Sequence, residues 1–166
     1  MDSSCEWDGE HNEYRYVLRR VWDTSKPKIV FIGLNPSVGS EELDDPTIRR
    51  CISYARKHGF GSYTMLNAFS YRSTDPRVLK SNRVNVVGSR NNDWILRECS
   101  DASVIVAAWG SHVNDVPSRQ TFLLELLGDK KLWCFSINKD GTPKHPLYTS
   151  GSAPLILFHD ALSLNS

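Results

Sequence analysis

Cysteine, surplus charge and long apolar runs are all scarce in this chain of 166 residues, and each shortage excludes something. The four cysteines, Cys5, Cys51, Cys99 and Cys134, lie far apart and form no C-x-x-C pair. That removes the spacing of a zinc ribbon, an iron–sulfur centre or a dithiol redox site. His11, His58, His112 and His159 show no metal-ligand spacing either, so the expectation is no metal and no cofactor. Lys and Arg number 20 against 19 Asp and Glu, a formal charge of +1, so contact with nucleic acid would have to come from a local patch. No apolar run approaches the ~20 residues of a membrane span. The opening Met1-Asp2-Ser3-Ser4-Cys5-Glu6 is too polar and acidic for a secretory signal. Neither a repeat nor a low-complexity tract stands out. The expectation is a cytoplasmic protein with reduced thiols, no membrane contact, a flexible leader over 1–12 and a single α/β domain over 13–166.

What is present is organised around Ile29-Val30-Phe31-Ile32-Gly33-Leu34-Asn35-Pro36-Ser37. A short apolar run that stops at Gly-x-Asn-Pro reads as a strand buried on both faces, the kind found in parallel sheets covered by helices. In such sheets ligands sit beyond the carboxyl ends of the strands, where Gly33, Asn35, Pro36 and Ser37 would lie. The plain alternative is a strand-ending turn.

The rest of the chain alternates in the same manner. Tyr14 to Trp22 alternates as an edge strand or a hairpin arm. Asp45-Pro46 starts a helix that carries Ile48, Cys51, Ile52 and Ala55 on one face and stops at Gly59. Tyr63 to Phe69 is a second core strand, followed by a loop and a short turn near Arg77–Leu79. Asn91 to Cys99 reads as a helix with Ile95, Leu96 and Cys99 inward. Ala102 to Gly110 is a third strand and Ser118 to Leu127 a third helix. Leu132 to Ile137 is a fourth strand, and Leu155 to Leu162 a final helix. The pattern predicts a three-layer α/β/α sandwich with a mainly parallel central sheet. If the strands are parallel, Asn35, Asn67, Trp109 and His145 meet on one rim.

Among these residues His145 is the titratable group best suited to donate to a developing anion, though a His before Pro is also ordinary loop chemistry. Asn35 can orient a water, and Asn67 can pair with the edge of a planar base, or simply close a strand end. Asp45 is a pocket carboxylate or a helix cap. Arg49, Arg50 and Arg72 form a phosphate-binding cluster, or in the first two cases a solvated helix face. Phe69 and Trp109 are stacking surfaces for a base, or core.

Several blocks carry a resemblance. Gly33-Leu34-Asn35-Pro36-Ser37 resembles the first motif of the uracil-DNA glycosylase superfamily, with Ser37 where that motif has Gly. Asn67 with Arg72 and Asp75-Pro76 resembles a second stretch of one branch, Ala107 to Gly110 its apolar strand, and His145-Pro146 its His-Pro-Ser motif, with Leu147 in place of the Ser. More closely, the ordered blocks from Asn35 to Tyr148 resemble an uncharacterised bacterial and phage domain family. The resemblance implies a glycosylase-like fold and hydrolysis of an N-glycosidic bond in DNA or a free nucleotide. Asn35 would hold the water, His145 would assist the leaving base, Asn67 would read its edge, and Phe69 would stack on it. The alternative is a non-catalytic module on the same fold that binds a nucleotide, a nucleic acid or a protein partner.

Overall fold

The computed structural model describes residues 1–148 and 153–160. In chain order its strands are β1 (Asp2–Asp8), β2 (Tyr14–Val21), β3 (Lys28–Gly33), β4 (Ser62–Asn67), β5 (Val104–Ala107), β6 (Leu132–Cys134) and β7 (Ile156–His159). Its helices are α1 (Pro46–Lys57), α2 (Asn91–Cys99) and α3 (Arg119–Leu126), with short 3-10 turns at Pro76–Lys80, Ser111–Asp115 and Pro146–Tyr148. The strands form one sheet in the order β1-β2-β4-β3-β5-β6-β7. Pairing is parallel from β4 through β3 and β5 to β6 and antiparallel at both flanks. The parallel character is therefore confined to the middle of the sheet.

β3 sits at the centre because its run of apolar residues can be buried on both sides. Ile29 and Phe31 face one core with Ile48, Cys51, Ile52 and Ala55 of α1. Val30 and Ile32 face the other with Ile95 and Cys99 of α2 and Leu123 of α3. Helices thus cover both faces, and each fully buried aliphatic or aromatic side chain contributes ~1.5–3 kcal/mol. α1 begins as its sequence predicts: the Asp45 carboxylate accepts from the Ile48 N–H at 2.9 Å, with Pro46 in the first turn. It ends at Gly59, whose φ of 82° suits glycine.

Three expectations change. Residues 2–8, read as part of a leader, form β1, paired along β2 from Asp2↔Val21 to Asp8↔Tyr14. β2 is thus the hairpin arm of the two alternatives, paired with β1 on one side and β4 on the other. The segment read as a final helix contains β7, an antiparallel strand on β6; Leu155–Phe158 is a short apolar run whose periodicity does not separate strand from helix, and residues 161 and 162 lie outside the described residues. Within α2, Leu96 is 42% exposed while Ile95 and Cys99 are buried. Among the described residues no helix is long and apolar enough to cross a membrane.

Candidate functional site

The parallel strands deliver their carboxyl ends to one rim, and the loops beyond them continue the ladders. Ala68 N–H donates to the Gly33 carbonyl at 2.8 Å, Phe69 N–H to Leu34 at 2.9 Å and Ser73 N–H to Pro36 at 2.9 Å. Gly110, at φ 75°, donates its N–H to the Pro143 carbonyl at 2.9 Å, which joins the β5 end to the loop after β6. Between these loops lies a cleft of about 690 Å³, within the ~300–1,000 Å³ usual for small-molecule sites. Asn35, Pro36, Ser37, Asp45, Asn67, Trp109 and His145 all line it.

Asn67 is the last residue of β4 and is 1% exposed. Its side-chain Nδ2 has no hydrogen-bond partner. Its backbone is held from behind: Asn91 Nδ2 donates to the Asn67 carbonyl at 2.9 Å, and Arg119 Nε donates to the Ala68 carbonyl at 2.9 Å. Gly33 pairs beside it, and a Cβ there would stand 3.0 Å from Asn67 Oδ1 and 2.9 Å from Met65 Cε. Glycine at 33 therefore leaves room for the Asn67 amide, and its close approach is to that amide. An unmet buried donor costs ~1–3 kcal/mol, which an acceptor on a ligand would recover.

Asn35 spends its amide nitrogen on the protein. Nδ2 donates to the carbonyls of Ser73 at 2.9 Å and Pro36 at 3.2 Å, tying the β3 loop to the β4 loop. The side-chain oxygen retains acceptor capacity. Asp45 is at once the cap of α1 and a cleft residue, so the two readings of it coincide. His145 Nδ1 accepts from the Leu147 N–H at 3.2 Å, which assigns the proton of the neutral ring to Nε2. Burial lowers the pKa of His145, and the Asp45 charge opposes that shift in part. The ring is thus biased toward a neutral N–H donor. Trp109 is buried, with its Nε1 donating to Gln120 Oε1 at 2.8 Å and its ring edge-on to Phe158.

Other expected site residues lie elsewhere. Phe69 is fully buried in the core, with the Arg119 guanidinium 6.0 Å from its ring centroid. It packs and is not part of the cleft lining. Arg49 is exposed on α1 and donates back to the Asp44 carbonyl. Arg72 bridges loops, donating to the carbonyls of Ser37 at 3.4 Å and Asn12 at 3.1 Å, with its guanidinium 4.9 Å from the Trp7 ring centroid. No Arg49–Arg50–Arg72 cluster faces the cleft. Three residues not singled out in the sequence matter instead: Asn91 and Arg119 brace Asn67, and Arg15 lines the cleft. Among the described residues no three His, Cys, Asp or Glu side chains gather as a metal site.

Fold and cleft together define an α/β protein with a ligand-sized site at the carboxyl ends of a parallel sheet core. The chain belongs to the DUF1643 family, described as proteins of unknown function, which matches residues 15–147. That span contains every cleft residue named above and leaves β1 outside. No curated protein and no solved structure matches the chain.

Proposed function

We propose that the cleft receives a pyrimidine-like base still attached to its sugar, in DNA or in a free nucleotide, and that the protein hydrolyses the N-glycosidic bond as the uracil-DNA glycosylases it resembles do. The observation that carries this reading is Asn67, a buried amide with an unmet donor on the lining of a cleft of ligand size. A carbonyl on the edge of a base satisfies it. His145 donates from Nε2 to the oxygen on which charge gathers as the base departs. The Asn35 side-chain oxygen accepts from a water poised at the anomeric carbon. The C–N electron pair leaves with the base, and water supplies both the hydroxyl for the sugar and the proton for the base. A duplex base would have to be flipped out to enter.

The test is base release, read by mass spectrometry, from single- and double-stranded oligonucleotides carrying uracil, mismatched thymine or modified pyrimidines, beside free nucleotides. Release that disappears in Asn35→Ala and His145→Ala, with circular dichroism unchanged, supports hydrolysis. No release by folded wild-type protein refutes it and leaves the same cleft as a non-catalytic binding site for a nucleotide, nucleic acid or protein.

A further inference from the structure

Two arginines of β2 run beneath the loop that forms one wall of the cleft, and they differ in one respect. Arg20 is buried and paired: its guanidinium meets the Asp44 carboxylate at 2.9 Å and the Ser40 carbonyl. Arg15 is 1% exposed and donates one N–H to the Gly39 carbonyl at 2.9 Å. Among the described residues no carboxylate forms an ion pair with Arg15, and its Nε has no partner. A guanidinium does not shed its proton to escape burial, so the cost of desolvation stays in place. Arg15 also lines the cleft.

The neighbouring charges leave this excess standing. Asp45 attracts Arg15 but forms no ion pair with it, and its Oδ1 accepts from the Ile48 N–H. Asp140 lines the cleft with its carboxylate turned to the N–H and hydroxyl of Thr142. Lys139 and Lys144 line it as well. Three cations thus face two carboxylates that already serve the protein's own turns.

We propose that Arg15 anchors an anion subsite in the cleft and that its occupant is the terminal phosphate of a free nucleotide. A planar guanidinium matches phosphate oxygens with paired bonds. A terminal phosphate carries about −1.5 to −2 charges near neutrality, against one for a diester. Because Arg15 is so little exposed, a phosphate reaches it only by entering the cleft. A chain end does that readily, whereas a diester must leave the cleft in two directions. The nucleoside half of this proposal rests on the base-binding reading above; the anion half stands without it, because inorganic phosphate alone tests it.

The experiment measures thermal shift and titration calorimetry on the full chain. The probes are inorganic phosphate against chloride at equal ionic strength, nucleoside monophosphates against their nucleosides, and an oligonucleotide without terminal phosphates. Phosphate is expected to raise Tm where chloride does not, and monophosphates to bind at least ~10-fold tighter than nucleosides, a ratio typical of a charge-assisted contact. Arg15→Met should erase that ratio. Arg15→Lys, which keeps a charge and a donor for Gly39 in case the Met variant fails to fold, should reduce it. Wild-type protein that phosphate stabilises no more than chloride overturns the proposal, as does an unchanged ratio in Arg15→Lys and Arg15→Met. An oligonucleotide that binds as tightly as the monophosphates, through Arg15, overturns the free-nucleotide assignment. Arg15-dependent phosphate binding with no base release from any substrate leaves this subsite standing and removes the glycosylase reading; base release without such binding does the reverse.

Discussion

Asp45 does two jobs that can be separated by substitution. Its side-chain oxygen caps α1 through the Ile48 N–H at 2.9 Å, and its charge raises the pKa of His145 against the effect of burial. Asp45→Ala removes both contributions. Loss of an N-cap acceptor costs ~1 kcal/mol, within a range of 0.5–2. For a chain of this size each kcal/mol moves Tm by about 2–4 °C, so Asp45→Ala should melt roughly 2–4 °C below wild type. Asp45→Asn keeps an acceptor of nearly equal capping strength and loses the charge, including its attraction for Arg15, so its Tm should lie between those of Asp45→Ala and wild type. Both variants should titrate His145 at lower pH than wild type, because the Asp45 charge that opposes the effect of burial is gone. The assays are a thermal melt followed by circular dichroism and an NMR titration of the His145 ring. If Asp45→Asn melts as low as Asp45→Ala, capping does not explain the stability. If the His145 titration stays put or moves up in both, the electrostatic reading of the cleft is wrong.

Three further outcomes follow from the same geometry. His145 holds its proton less well folded than unfolded, so its stabilising contribution is complete above ~6.5 and is lost as pH falls through that value toward the lowered folded pKa; urea midpoints measured against pH should show a shallower acid-side loss in His145→Gln than in wild type. Gly33→Ala places a methyl 3.0 Å from Asn67 Oδ1 and 2.9 Å from the flexible Met65 Cε, so overpacking should cost about 1–3 kcal/mol in denaturant melts and weaken any ligand of the cleft more than Ala at the solvent-open Gly59 does. Burial pushes the Cys51 and Cys99 thiols up to about 12 and Cys5 and Cys134 up to about 11; a chromogenic thiol reagent at neutral pH should label the native chain slowly and all four sites quickly in denaturant, and rapid native labelling would contradict the packing around them.

The central elements were legible because their signals are local. The apolar run before Gly33 can only be buried, and Asp45-Pro46 states where α1 begins. The rim shared by Asn35, Asn67, Trp109 and His145 followed from strand direction alone. β1 escaped notice because its alternation is weak and its partner supplies the reason it is a strand: each of its residues is ordered by the ladder to β2. β7 is ambiguous in the sequence because four apolar residues do not define a period. Phe69 resembles a stacking surface because it closely follows Asn67, yet it lies beyond the end of β4 and packs into the core with Leu66 and Ala68. Arg15 is hidden from sequence reading for a different reason. A charged residue in an edge strand or hairpin arm reads as surface, and only the presence of β1 outside it and the 37–45 loop above it makes the position interior. Long-range pairing of this kind is set by tertiary context, which no window of sequence contains.

The place of β3 in the sheet has a consequence for how the chain is assembled in time. Its neighbours are β4 and β5, so that Ile29 meets Tyr63 on one side and Val104 on the other. Both pairings close long stretches of chain, and neither forms until distant segments are available. The β1–β2 hairpin, by contrast, is local and can close first. During synthesis from the amino end, β3 therefore waits for β4 on one side, and its other edge stays unpaired until residues beyond 100 have emerged; that interval is when the chain is most exposed to misassociation.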